Sequence, residues 1–271
     1  MKALNWLRAA GRLLFLECRR LKRRRTRLSE RVRFLGEYLA AARQIAASGR
    51  DERLRMNPRL GERTPTTGFD ANYFYQDAWA FRHIVERRPA LHVDVGSRVI
   101  FVGLLSCTVP VEFVDVRPLQ AKLPNLICRA GSLLALPYAD ASVESLSCLH
   151  VAEHVGLGRY GEDLDVLDGT RRACAELSRV LMPGGRLYFG LPVAGEDRIE
   201  FNAHRVHTAE RVLSYFEGLD LLELSGVTDA GEFVQNVDAE LLGRQRYGCG
   251  LFVFTRKEGR DAAAGAGESR T

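Results

Sequence analysis

Four of the six histidines fall in two close pairs, His150/His154 and His204/His207. Imidazole is the side chain whose ordinary pKa lies nearest neutrality, so such pairs are candidates for moving protons. His154 is the first choice for a general base and His204 the second. Glu153, beside His154, could orient or polarise one of the rings. Arg205, inside the second pair, could hold an anionic substrate group, with His207 next to it. His83 and His92 read as structural. The string His150-Val151-Ala152-Glu153-His154 also matches H-x-x-E-H, an inverted zinc-hydrolase signature. That motif needs a helix, so that residues four apart share one face. Here His150 closes a strand pattern and Gly156 and Gly158 follow closely, so zinc hydrolysis is the lesser reading and no metal ligand is assigned. Histidines that only cap or bridge loops are the bland alternative.

A second set of residues is suited to holding a ligand. Asp94-Val95-Gly96 closes a short β-branched run, and a glycine there lets backbone pass close to a ligand while the next helix offers free N–H groups. Asp115 ends the following apolar run, where a carboxylate can accept hydrogen bonds from both hydroxyls of a ribose. Gly131-Ser132-Leu133 ends a third, with a small polar group and an apolar neighbour able to receive an adenine ring.

These tips require a particular scaffold. Strand patterns occur at 91–96, 111–116, 126–131, 143–150, 185–193, 219–227 and 247–257. Helical patterns fall between them at 97–107, 162–182 and 208–218, and an aromatic helix over 70–88 stops before Pro89. Strands alternating with helices predict an α/β fold with a doubly wound, mostly parallel sheet, whose ligands bind beyond the carboxyl ends of the strands.

Two strings carry a family resemblance. GSLLALPYADASVESLSCLHVAEHV (131–155) and ELSRVLMPGGRLYFGLPV (176–193) resemble the centre of class I S-adenosylmethionine-dependent methyltransferases. In that pattern an LP-aromatic turn precedes the fourth strand, an EH pair follows it, and a PGG junction leads into the fifth. HVAEHVGLGRYG, FNAHR and YGCG are similar to a branch of that superfamily known only as a domain of unknown function. The resemblance implies a Rossmann-like sheet of seven strands, the last antiparallel, and S-adenosyl-L-methionine as cofactor. It places Asp94 and Gly96 near the methionine moiety, Asp115 on the ribose, Ser132 and Leu133 near adenine, and His150 close to the methyl group. The chain departs from the pattern at Ser97-Arg98-Val99, where further glycines are usual.

Charge is unevenly spread. Residues 1–60 hold 17 Lys and Arg against 5 Asp and Glu, a net +12, whereas the other 211 residues net −7. The folded region is therefore acidic, and nucleic acid is not an expected partner. The sequence divides into a basic amphipathic helical extension (1–47), a polar linker (48–68), a methyltransferase-like domain (69–257) and a disordered tail (258–271). Residues 1–25 could lie on an anionic membrane, with Trp6 and Phe15 inserted among arginines. A solvated basic helix packed on its own domain or on a second subunit is the alternative, and the N-terminal helices could support an oligomer. Arg8 and Arg12 interrupt the first apolar stretch, no run reaches the length of a membrane span, and the six cysteines form no CxxC pair. A cytoplasmic protein, peripheral on the inner face of the membrane, is expected. Its expected activity is O-methylation of a small-molecule or saccharide acceptor; a non-catalytic methyltransferase-like scaffold or assembly protein is the alternative.

Overall fold

The computed structural model describes residues 28–257. The expected membrane-facing segment 1–25 and the expected disordered tail 258–271 lie outside the described residues. Two compact units divide at Phe69/Asp70.

In the first unit, helix α1 spans residues 28–48. It stops where Gly49 takes a positive φ of 70° and Ser48 Oγ donates to the carbonyl of Ile45 at 2.7 Å. Leu28, Val32, Leu35 and Leu39, the expected helical stripe, are all exposed. The residues after α1 form no regular structure, and Arg63 reaches Glu37 at 2.8 Å.

The second unit opens with α2 (Ala71–Arg87), whose N-cap Asp70 accepts from Tyr73 N–H. Strands β1 (His92–Val95), β2 (Val111–Asp115), β3 (Leu126–Ala130), β4 (Val143–Leu149) and β5 (Leu181–Val193) are all parallel. After the hairpin β6 (Arg198–Glu200)–β7 (His204–Val206) come β8 (Leu219–Val227), β9 (Phe233–Val234) and β10 (Gly248–Arg256). The sheet order is β3-β2-β1-β4-β5-β10-β8-β9, with β10 antiparallel to both its neighbours. This is the Rossmann-like methyltransferase fold. Its seven main strands match the sequence expectation, and the two-residue β9 adds an eighth at the edge.

Strands buried on both faces read as continuous apolar runs, which is why they were legible. One face is covered by α4 (Gly169–Val180) and α5 (Ala209–Tyr215), through Ala173, Cys174, Leu177, Val180 and Val212. The other is covered by α2 and α3 (Val99–Leu105), through Trp79, Ile84, Phe101 and Leu105. The chain winds outward in both directions from β1 and β4, so a crevice opens between their carboxyl ends.

Three elements differ from expectation. The helix expected over 162–182 is confined to Gly169–Val180, because 162–168 forms a turn with Leu164 and Leu167 exposed. Strand β5 begins at Leu181 and takes in the Pro183-Gly184-Gly185 junction. The helix after β1 is only seven residues long. A short α6 (Ala239–Gly243) and the β6–β7 hairpin carried no readable pattern. No helix among the described residues is long and apolar enough to cross a membrane.

Candidate functional site

The carboxyl ends of β1 to β4 surround a cavity of about 330 Å³, within the ~300–1,000 Å³ usual for small-molecule sites. Val95 and Gly96 come from β1 and its turn, Val114 and Asp115 from β2, Ser132 and Leu133 from the turn after β3. His150 and Val151 follow β4, and His154, Tyr160 and Glu162 complete the rim. Six expected site residues thus meet in one cavity: Gly96, Asp115, Ser132, Leu133, His150 and His154.

Asp115 accepts from Arg117 N–H at 2.7 Å, a local turn that fixes its carboxylate at the strand tip. Arg117 then places its guanidinium over the ring of Tyr160, 4.3 Å from the centroid, joining two walls of the cavity. Gly96 has φ of 70°, and a Cβ there would stand 2.9 Å from Val151 Cγ1 and 3.7 Å from Asp115 Oδ2. A side chain at 96 would therefore enter the cavity between two of its lining residues. The carboxylate at the tip of β2 and the room left by Gly96 fit a ribose-bearing cofactor.

Asp94 is placed differently from expectation. It is fully buried and does not line the cavity. One oxygen accepts from Ser97 N–H at 3.0 Å and the other from the Ser147 hydroxyl. Ser147 Oγ also sits 2.8 Å from His92 Nε2, and Ser97 Oγ accepts from Leu149 N–H at 3.1 Å. Burial pushes the Asp94 carboxyl up to about 6 and the His92 imidazole down to about 3. Asp94 shapes the turn that carries Gly96, and Ser97 ties that turn to β4.

The histidines are sorted by their neighbours. His150, in the left-handed region at φ of 56°, meets Gln76 Oε1 through Nδ1 and packs 5.1 Å from the Tyr73 ring. His154 Nδ1 lies 2.7 Å from the carbonyl of Ala203. A carbonyl can only accept, so Nδ1 carries the proton and Nε2 is left with its lone pair. Burial lowers His150 to about 3 and His154 to about 4, so both rings are neutral at physiological pH. Glu153 is fully buried, off the cavity lining, with its carboxyl pushed up to about 8. His204 lies behind His154, their ring centroids 6.3 Å apart.

The expected substrate role of Arg205 is corrected. Its guanidinium donates to the carbonyls of Val155 (2.6 Å), Asp165 (2.7 Å), Val166 (2.9 Å) and Glu153 (3.4 Å), so its donors are already engaged. It clamps the loop that carries Glu153 and His154. His207 is corrected too: it is buried away from the cavity, 3.2 Å from Thr170 Oγ1 and 3.4 Å from Asp197. The H-x-x-E-H string makes a strand end and one 3-10 turn, Ala152–His154, not the helix a zinc hydrolase needs.

Sequence reasoning missed Arg117, Tyr160 and Glu162 on the cavity wall, and Tyr73, Gln76 and Tyr247 near the histidines. Gly156, Gly158 and Gly161, all at positive φ, are the one signal that marked the Tyr160 loop.

Comparisons with known proteins bear on the fold and not on the individual site residues. Residues 138–246 match the model of a family described as "Caenorhabditis protein of unknown function, DUF268". No curated protein matches the chain. Among solved structures, the chain is similar to the YcgJ protein of Bacillus subtilis at 14% identity, covering 67% of this chain and 100% of that one, with a TM-score of 0.47. It is similar to a TehB-like S-adenosylmethionine-dependent methyltransferase from Corynebacterium glutamicum at 19% identity, over 82% and 97% of the two chains, TM-score 0.45. It is also similar to the Burkholderia thailandensis 1,6-didemethyltoxoflavin-N1-methyltransferase at 14% identity, over 69% and 79%, TM-score 0.49.

Proposed function

We propose that the chain is an S-adenosylmethionine-dependent methyltransferase that methylates a hydroxyl of a small-molecule or saccharide acceptor at the cytoplasmic face of a membrane. The observation that carries the reading is the cavity at the sheet's switch point with the Asp115 carboxylate on its wall. Asp115 would hold the ribose hydroxyls, Gly96 would leave room for the methionine moiety, and Ser132 and Leu133 would flank the adenine.

When bound, S-adenosylmethionine supplies an electrophilic methyl group. The chain's own residues then orient the acceptor and take its proton. His154 suits that task, since the Ala203 carbonyl holds its ring with Nε2 unprotonated. A hydroxyl becomes strongly acidic as its oxygen is alkylated, so a neutral imidazole of low pKa is basic enough to receive the proton. Arg205 holds the loop in place without touching substrate. The membrane part of the reading rests on the sequence of residues 1–25.

A second reading, a non-catalytic methyltransferase-like scaffold, is favoured by Ser97-Arg98-Val99 in place of the usual glycines. Calorimetry with S-adenosylhomocysteine separates the two. The wild type is expected to bind and Asp115→Ala to bind at least tenfold more weakly, a loss of about 1.4 kcal/mol or more. No heat and no thermal shift at millimolar ligand would refute the methyltransferase reading.

A further inference from the structure

Behind the two cavity-lining histidines lies a group of polar side chains that the cofactor reading does not use. Glu153 is fully buried, and neither of its carboxyl oxygens has a hydrogen-bond partner. The Nε2 atom of His204 is likewise buried and unpartnered. Buried polar groups are satisfied in the great majority of cases, so two such side chains that each neighbour His154 point to something that completes them. Glu153 Oε1 stands 3.9 Å from His154 Nε2. That gap is too long for a direct hydrogen bond, but one oxygen atom at about 2.8 Å from each would span it. The ring of Tyr247 lies 5.4 Å from that of His204, and Tyr73 and Tyr247 both feel the Glu153 charge.

Resting on the methyltransferase reading, we propose that Glu153, His154, His204 and Tyr247 form the acceptor subsite, and that it takes an uncharged hydroxyl group rather than an amine cation or an acid. Each titratable group here is driven to its neutral form by burial. The Glu153 carboxyl is raised to about 8; the imidazoles of His150, His154 and His204 are lowered; the phenols of Tyr73 and Tyr247 are raised. Arg159 is exposed, its Nη1 donating to the Ala203 carbonyl at 3.0 Å and standing 3.3 Å from His154 Nδ1, and Arg98 is drawn to Asp77 at 3.3 Å. Desolvation penalises any ion that enters, and the Arg159 charge beside the site lies at its exposed edge, where solvent screens it. A hydroxyl pays no such penalty, and it matches the partners on offer: it donates to His154 Nε2 and accepts from the protonated carboxyl. The Glu153 position thus reads the neutrality of the acceptor, while His154 takes its proton.

The test uses the full chain with nitrogen-15-labelled histidines, with and without saturating S-adenosylhomocysteine. Three small probes are added in turn: 2-propanol, ethylammonium and acetate. The expected result is a saturable shift of the His154 and His204 Nε2 resonances with 2-propanol, and none with the two ions. Glu153→Leu is expected to weaken the 2-propanol response at least tenfold while leaving S-adenosylhomocysteine affinity unchanged, and Tyr247→Phe, which keeps the ring, to weaken it less. The proposal is overturned if the ions saturate the shift, if no probe moves these resonances, as when only water completes the site, or if the alcohol response persists in Glu153→Leu. Loss of S-adenosylhomocysteine binding in the wild type would sink the cofactor reading; binding with silent imidazoles would sink this inference alone.

Discussion

Glu153→Gln should change the pH dependence of stability in one narrow window. The Glu153 carboxyl is raised from 4.5 to about 8 because burial disfavours its charge. Between those values the folded chain holds a proton that the unfolded chain releases, so stability falls as pH rises and levels off above 8. The whole shift corresponds to about 5 kcal/mol, of which roughly 1.5–2 kcal/mol is lost between pH 6.5 and 8. The lowered histidines act over the same interval with the opposite sign. His92, His150 and His154 are lowered to about 3, 3 and 4, so each costs about 0.4 kcal/mol at pH 6.5, where its unfolded form is half protonated, and recovers it by pH 8. Asp94, raised to about 6, has taken its cost by then. For a unit of about 200 residues the melting temperature of the wild type should therefore fall by roughly 3–8 °C relative to that of the glutamine variant from pH 6.5 to 8. The glutamine variant cannot ionise there and keeps only the histidine contribution, so its melting temperature should rise over the window. Differential scanning calorimetry across the window decides it. Parallel curves for the two proteins would mean that Glu153 is not held protonated, and the neutral acceptor subsite would lose its main support.

Two further outcomes follow, one from the structure and one from the sequence. Arg205→Lys removes a fork that reaches four carbonyls at once, so it should cost about 3 kcal/mol or more in chemical denaturation; an unchanged midpoint with a raised KM would restore the substrate role denied to it. Deleting residues 1–25 should abolish flotation with vesicles containing anionic lipid and leave S-adenosylhomocysteine binding intact; unchanged flotation would contradict the membrane placement.

The sheet was legible because each central strand is buried on both faces and reads as an apolar run, ended by a glycine at Val93–Gly96 and by an acid at Phe113–Asp115. The turn at 162–168 was not. Its acids and leucines have helical spacing, yet Asp165 N–H donates to the carbonyl of Gly156 at 2.9 Å and the Asp165 side chain accepts from Asp168 N–H at 3.1 Å. A Cβ at Gly156 would lie 2.6 Å from the Asp165 carbonyl, so tertiary contact overrides the local pattern. Arg205 misled for a related reason: nothing local tells that carbonyls from 153 to 166 converge on it. Tyr73 and Gln76 meet His150 across more than seventy residues, a pairing without a local signature. Asp94 was legible as part of the turn after β1 but not as buried beneath it, because its partner Ser147 comes from the neighbouring strand.

The central claim is that the crevice beyond β1, β2 and β3 is built for a ribose-bearing cofactor. A crystal structure of the full chain grown with S-adenosylhomocysteine tests it most directly. The account predicts both ribose hydroxyls within hydrogen-bond distance of the Asp115 carboxylate, about 2.5–3.0 Å, with the adenine against Leu133 and the sulfur nearest His150. Ligand bound elsewhere, or a cavity empty at saturating concentration with Asp115 turned onto Arg117, would contradict it.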